Sequence, residues 1–163
     1  TELRESGLSV VTEPDESASV VLIGFDTENT SEKIRNTCIM LGRDVVYLAT
    51  NPDLVCPVPF GYVPDCGSIC QMITNATGQV PHYIGKPSTD MVDIALRENP
   101  FSKEETVIVG DRFYTDIACG NASGVETVLV LTGEAKKTDT MIHTYSPTYI
   151  FDSIKEVKKA WKN

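Results

Sequence analysis

Basic residues are scarce in this sequence: 14 Lys and Arg stand against 23 Asp and Glu, a net charge of −9. Nucleic-acid affinity comes largely from clustered Lys and Arg, so this balance argues against a nucleic-acid partner. Long apolar runs are missing too; none approaches the roughly 18 residues that span a bilayer, and no membrane partner is expected. There is no Cys-x-x-Cys pair, and the five cysteines (Cys38, Cys56, Cys66, Cys70, Cys119) are odd in number and irregularly spaced. That pattern speaks against a disulfide framework and for buried thiols in a reducing, cytoplasmic setting. Cys66 and Cys70 stand i, i+4 near a predicted helix start, but His82 and His143 are the only histidines and neither has zinc-ligand spacing to a cysteine. Residue 1 is Thr, with no charged-then-apolar leader after it, which suggests a processed start or a piece of something longer. No repeat or low-complexity tract occurs. What is present is ordinary globular material: 163 residues, 41% hydrophobic and 23% charged, enough for one domain or a domain with a small appendage.

Short β-branched runs alternate with helix-like stretches. Residues 8–11 and 19–24 read as strands, the second a nearly continuous apolar run of the kind buried in a sheet. Thr30-Ser31-Glu32-Lys33 opens a helix that continues through Ile34, Cys38 and Leu41 to Gly42. Residues 44–50 form another strand. The stretch holding Pro52, Pro57, Pro59, Gly61 and Pro64 can be neither helix nor central strand. A helix over about 68–77 ends at Gly78. Strands then follow at 82–84, 106–109, 127–131 and 149–151, with helices over about 89–98, from Thr115 to Gly124, and from Ser153. Such alternation predicts βαβ units and parallel sheets, in two lobes meeting near residues 79–84. Lys155, Lys158, Lys159 and Lys162 fall on one solvated face of the last helix.

In parallel sheets the ligand sits beyond the carboxyl ends of strands. Two such ends carry polar groups. Gly85-Lys86-Pro87 follows the strand 82–84, and Pro87 favours extended backbone at Lys86, so its ammonium can project over the sheet end as a point charge for phosphate. A solvated loop lysine is the plainer alternative. Gly110-Asp111 follows the strand 106–109, and an acid delivered into that turn needs a partner. Mg²⁺ suits it, binding through one or two carboxylates and keeping waters and a phosphate oxygen. Asp116, five residues on, reads as a helix cap or a supporting carboxylate. His82 reads as a strand-edge residue.

Gly85-Lys86-Pro87-Ser88, residues 107–111, Arg112, Thr115-Asp116-Ile117 and Val128-Leu129-Val130-Leu131-Thr132-Gly133 together resemble the third and fourth motifs of the haloacid dehalogenase (HAD) superfamily. The likeness is to its NagD-like and 4-nitrophenylphosphatase-like branch. Ala49-Thr50-Asn51-Pro52-Asp53, Pro59, Gly61, Pro64 and Gly67-Ser68-Ile69 resemble that branch's α/β cap, so the match runs over about residues 8–152. The resemblance implies an α/β fold: a cap domain over 1–80 and the C-terminal half of a Rossmann-like core over 81–163. It implies catalytic roles for Lys86 and Asp111, a Mg²⁺ cofactor held by Asp111 and Asp116, and substrate contacts from Lys86, Arg112, Phe113, Tyr114 and Thr115. Asn51 and Asp53 would reach substrate from the cap, although an Asx turn beside Pro52 explains them equally well. The expected activity is Mg²⁺-dependent hydrolysis of a small phosphorylated metabolite: a sugar phosphate, a nucleotide or a 4-nitrophenyl phosphate-like ester. A homodimer is compatible with it.

Catalysis in this family also depends on an N-terminal Asp-x-Asp strand and a Ser/Thr motif, which the resemblance places before Thr1. Covalent phosphoryl transfer needs that carboxylate, so this chain is expected to be an incomplete fragment, inactive alone. A rival arrangement uses Asp26-Thr27-Glu28 as the Asp-x-Asp motif and Thr50-Asn51 to hold phosphate, making a compact, complete phosphatase. Glu28 in place of the second Asp, Asn29 beyond it, and the cap-like residues 50–53 and 67–69 count against it. The third reading is a non-catalytic module that binds phosphate or pairs with another subunit.

Overall fold

A computed structural model describes residues 2–161 of the chain, so Lys162 of the expected lysine stripe lies outside the described residues. The chain divides into two units, one ending at Tyr83 and the other beginning at Ile84.

The first unit opens with a one-turn helix, α1 (Glu2–Glu5), which the sequence reading did not anticipate. Residues 8–11 are not a strand: Leu8 and Val11 are exposed, and with no ladder partner a short β-branched run stays irregular. Side chains hold the following segment instead. Asn36 donates to Glu13 and Arg43 donates to the carbonyls of Asp15 and Glu16. Strand β1 (Val20–Ile23) leads to α2 (Ser31–Leu41), whose N-terminus Thr30 caps by accepting from the Lys33 N–H. Strand β2 (Val46–Ala49) pairs parallel with β1, Val20 opposite Val46 and Ile23 opposite Ala49. The proline-rich stretch folds into a hairpin, β3 (Val55–Val58) and β4 (Gly61–Pro64), that pairs with nothing else among the described residues. Pro57 and Pro64 lack an N–H and are tolerated because both strands are edges. Helix α3 (Cys66–Thr77) follows, capped by the Asp65 side chain and ended by left-handed Gly78 at φ 75°. Strand β5 (His82–Tyr83) then pairs parallel with β2. The sequence reading put this strand in the later lobe; it belongs to the first sheet, because Leu48 and Ala49 offer it a ladder.

Ile23, Tyr47 and Ala49 pack one face of this sheet against Leu41, Cys66, Cys70 and Ile73 of α2 and α3. Val20, Leu22 and Val46 on the opposite face are exposed.

The second unit contains α4 (Asp90–Glu98), a 3₁₀ turn at Lys103–Glu105, and β6 (Val107–Gly110). A wide π-helical turn over Phe113–Ile117 runs directly into α5 (Ala118–Ser123), so the helix expected from Thr115 starts earlier and in a wider form. Strand β7 (Glu126–Val130), α6 (Met141–Tyr145), β8 (Tyr149–Phe151) and α7 (Ile154–Ala160) complete it. The sheet order is β6-β7-β8, all parallel. Both faces are covered: Leu129 packs with Phe113, Ile117 and Ala135, while Val128 and Val130 pack with Val157 of α7. Thr127, fully buried, accepts from the Thr148 N–H and donates its own N–H to the Thr148 hydroxyl, each at 3.0 Å. Gly120 is required beside it, since a Cβ there would overlap the Thr127 methyl. Lys155, Lys158 and Lys159 are exposed on α7. No helix among the described residues is long and apolar enough to cross a membrane.

Candidate active site at the end of β6

Strand β6 ends at Gly110 and delivers Asp111 into the turn before the π-helical segment. A side chain at position 110 would overlap that of Asp116, so glycine lets the Asp116 carboxylate fold back against the strand end. There Asp116 is 5% exposed, and both its oxygens are used. Oδ1 accepts from the Lys86 ammonium at 2.5 Å, and Oδ2 accepts from the Arg112 N–H at 3.2 Å. A buried carboxylate needs such partners, and the salt bridge is what keeps its charge tolerable. Lys86 arrives on the loop after β5, where the Lys86–Pro87 peptide is cis. The loop is tied down at Ser88, whose carbonyl accepts from the Cys119 thiol at 3.1 Å. Burial pushes the Cys119 thiol up, away from thiolate chemistry.

Asp111 is half-buried. Its Oδ2 accepts the Glu134 N–H at 2.8 Å and its carbonyl accepts the Ala135 N–H at 3.0 Å. Gly133 makes that approach possible, because a Cβ there would collide with the Asp111 carboxylate. Oδ1 of Asp111 takes no hydrogen bond among the described residues, leaving a hard anionic oxygen that fits Mg²⁺. No group of three or more His, Cys, Asp or Glu side chains converges among the described residues, so Asp111 and Asp116 alone are not a complete ligand set. With both oxygens of Asp116 engaged, its geometry is that of a support for Lys86 and the Arg112 backbone.

The substrate-loop residues divide by burial. Arg112 Nε donates to Glu134 at 2.9 Å, and the Tyr114 hydroxyl, on the exposed side, donates to the same carboxylate at 3.2 Å. Phe113, expected at substrate, is instead 2% exposed in the core, its ring centroid 6.0 Å from that of Tyr145. Thr115 is likewise turned inward. The wide π-turn causes this, since five residues in one turn send positions 113, 115, 116 and 117 to the inner side. Glu134 carries no expectation in the sequence reading, although Gly133 before it and Gly110 stand in the quoted motifs; the readable signal was a Gly-Glu pair three residues beyond β7.

In the first unit, Asn51 forms the Asx turn: its Oδ1 accepts the Asp53 N–H at 3.0 Å. This turn lies against α3, where the Gly67 N–H donates to the Asp53 carbonyl at 2.8 Å and a Cβ would strike the Pro52 carbonyl. Asp26 follows β1, which pairs with β2 and belongs to the β1-β2-β5 sheet, whereas Asp111 ends a strand of the β6-β7-β8 sheet. The Asp26 carboxylate is occupied, accepting from Lys33 Nζ at 2.7 Å and from the Glu28 N–H at 2.8 Å. Lys33 thereby holds it below the usual carboxylate range. Both oxygens of this carboxylate therefore anchor the turn after β1 to the start of α2. The cleft of about 150 Å³ beside it is floored by Ile23, Ile34, Ile69 and Ile73.

The second unit thus sets an acid at the end of one strand of a parallel sheet, beside a lysine salt-bridged to a buried carboxylate. Residues 83–157 match the family model described as HAD-hydrolase-like. The chain is 35% identical over 154 residues to an acid sugar phosphatase of Staphylococcus haemolyticus, covering 94% of this chain and 58% of that protein. It is 32% identical over 156 residues to the ribonucleotide monophosphatase NagD of Escherichia coli K12, covering 96% and 60%. The solved p-nitrophenyl phosphatase from Archaeoglobus fulgidus superposes with a TM-score of 0.89 at 35% identity, over 98% of this chain and 62% of that one. The chain thus spans 58 to 60% of the length of these two curated relatives.

Proposed function

We propose that these residues form part of a Mg²⁺-dependent phosphatase acting on a small phosphomonoester. The first unit, ending at Tyr83, serves as its cap, and the second, beginning at Ile84, as the C-terminal half of its core. The observation that carries this reading is the Lys86–Asp116 salt bridge beside Asp111, whose Oδ1 is left open at the end of β6. Lys86, oriented by Asp116, offers an ammonium to a phosphoryl oxygen and to an attacking carboxylate. Asp111, fixed through its other oxygen, holds the metal. Mg²⁺ would supply neutralisation of charge on the transferring phosphoryl group. Arg112 and Tyr114 contact the ester from the same turn. Hydrolysis consumes water and yields an alcohol and inorganic phosphate. The carboxylate nucleophile is assigned to no residue of this chain; we place it on an Asp-x-Asp strand of a longer polypeptide.

Sugar phosphates, nucleotides and 4-nitrophenyl phosphate are the substrate class, as the names of the relatives suggest. The five free cysteines support a reducing, cytoplasmic setting, and a homodimer remains compatible with this reading.

The test compares 4-nitrophenyl phosphate hydrolysis by this chain and by the same chain extended with an Asp-x-Asp strand. No turnover is expected from the first. In the second, Mg²⁺-dependent turnover is expected, with Asp111→Asn weakening Mg²⁺ activation by at least about tenfold. Turnover by this chain that Asp26→Asn abolishes would restore the compact reading. Magnesium dependence unchanged in Asp111→Asn would reject the metal role. The second reading is a module that binds phosphate without turnover. Phosphate binding with no hydrolysis by the extended protein would select it.

A further inference from the structure

Three side chains of the β6 turn converge on one residue that the sequence motifs do not include. Glu134 donates its N–H to Asp111 Oδ2 at 2.8 Å, and its carboxylate accepts from Arg112 Nε at 2.9 Å and from the Tyr114 hydroxyl at 3.2 Å. Its neighbours secure it. Gly133 on one side admits the Asp111 carboxylate at a distance no Cβ would allow. Ala135 on the other is 2% exposed, packs with Phe113, Ile117 and Leu129, and donates its N–H to the Asp111 carbonyl. The segment after β7 is therefore strapped to the segment after β6, with Glu134 at the buckle.

The geometry points to Glu134 as a positioning residue: it holds Asp111, Arg112 and Tyr114 in the single arrangement that meets a phosphate ester. This rests on the phosphatase reading for its substrate class, although the strap itself is independent of it. Physically, an arginine on an open turn samples many rotamers, and fixing it before the ligand arrives removes that entropic cost from binding. Part of the pair is solvent-exposed, with Arg112 and Glu134 side chains 29% and 47% exposed. Its value is thus in orientation more than in stability. The backbone N–H contact to Asp111 survives substitution of the side chain, so variants at 134 isolate the Arg112 and Tyr114 contacts from the Asp111 contact.

The experiment uses the full 163-residue chain with Glu134→Ala and Glu134→Gln. Amide hydrogen exchange is read over residues 111–117, and inorganic phosphate is titrated in the presence of Mg²⁺ while the Arg112 Nε–H resonance is followed. Glu134→Ala should speed exchange across 111–117 by about tenfold and weaken phosphate binding by about tenfold, with β7 protection unchanged. Glu134→Gln still accepts from both donors and should recover most of each effect. Wild-type exchange or wild-type phosphate affinity in Glu134→Ala would overturn the assignment. So would Gln behaving like Ala. If the unsubstituted chain binds no phosphate, the exchange comparison alone decides whether Glu134 orders the turn, and the phosphatase reading is decided separately by the extended protein.

Discussion

The two units are built from the same parallel βαβ grammar but bury their sheets differently. In the second unit β7 is covered on both faces, and Thr127, Val128 and Leu129 are fully buried. In the first, helices cover one face, and Val20, Leu22 and Val46 across it stay exposed. A strand buried on both sides is mostly apolar and presents chemistry chiefly at its end. Asp111 lies at the end of the neighbouring strand β6, whose Val109 is 40% exposed. The one-faced sheet carries no comparable acid with an open oxygen among its strand ends: Asp26 is consumed by Lys33, and Asn51 by its own turn. Rigid burial and a polar strand end thus occur together in the second unit, as expected where a catalytic constellation must be held in place.

This contrast can be broken by substitution. The largest effect is expected from Leu129→Ala, which removes a fully buried side chain packed by Phe113 and Ile117; a loss of about 3 kcal/mol should appear in denaturant unfolding of the second unit. Leu22→Ala, on the open face of the first sheet, should cost under about 1 kcal/mol. Equal losses would erase the distinction. Next is Lys86→Met, which leaves the buried Asp116 carboxylate without its cation. A loss of about 2 kcal/mol is expected by the same measurement. Gly120→Ala places a methyl against Thr127 and should destabilise by about 1–2 kcal/mol despite the better helix propensity of alanine. A neutral outcome would show that α5 can slide.

pH sharpens the comparison from the other side. Burial pushes the Cys70 thiol in the first unit up to about 11, with Tyr47 raised as well. Between the unfolded thiol value near 9 and that folded value, the native state holds the proton more tightly. Stability of the first unit is therefore fully present below pH 9 and falls as pH rises toward 11, which thermal melts across that range would show. Smallest is the Asp26–Lys33 pair. The folded carboxyl is depressed, so its contribution is present above the usual carboxylate range and lost as pH falls through the folded value. Half-exposed, the pair is worth only about 0.5 kcal/mol, and a Lys33→Met melt at neutral pH should show no more than that.

The second unit was the more legible in sequence. Residues 107–110, 126–130 and 149–151 are short runs of β-branched and aromatic residues, and their strands fall within a residue or two of expectation. The same reasoning failed at residues 8–11, where a β-branched run has no ladder to join. It also missed the hairpin, because Pro57 and Pro64 argue against strands generally and only edge pairing tolerates them. Strand β5 was read in the wrong sheet, since two residues carry no information about which neighbour they pair with. At the candidate site, Lys86, Asp111 and Asp116 were visible as polar residues at strand ends, but Phe113 was misread because a π-turn changes which side chains face in.

By itself, the scarcity of basic residues in the sequence argued against a nucleic-acid partner, and the order of strands and helices pointed to parallel α/β structure with polar groups at strand ends. These are properties of composition and local periodicity, which survive without knowledge of contacts. Only the tertiary structure decided that Asp116 belongs to Lys86, that Asp26 belongs to Lys33, and that Glu134 gathers Arg112 and Tyr114. Two of these pairings join residues 20 to 30 positions apart. They depend on glycines at 110 and 133 that matter for the space they leave empty, and no local pattern reports the far side of that space.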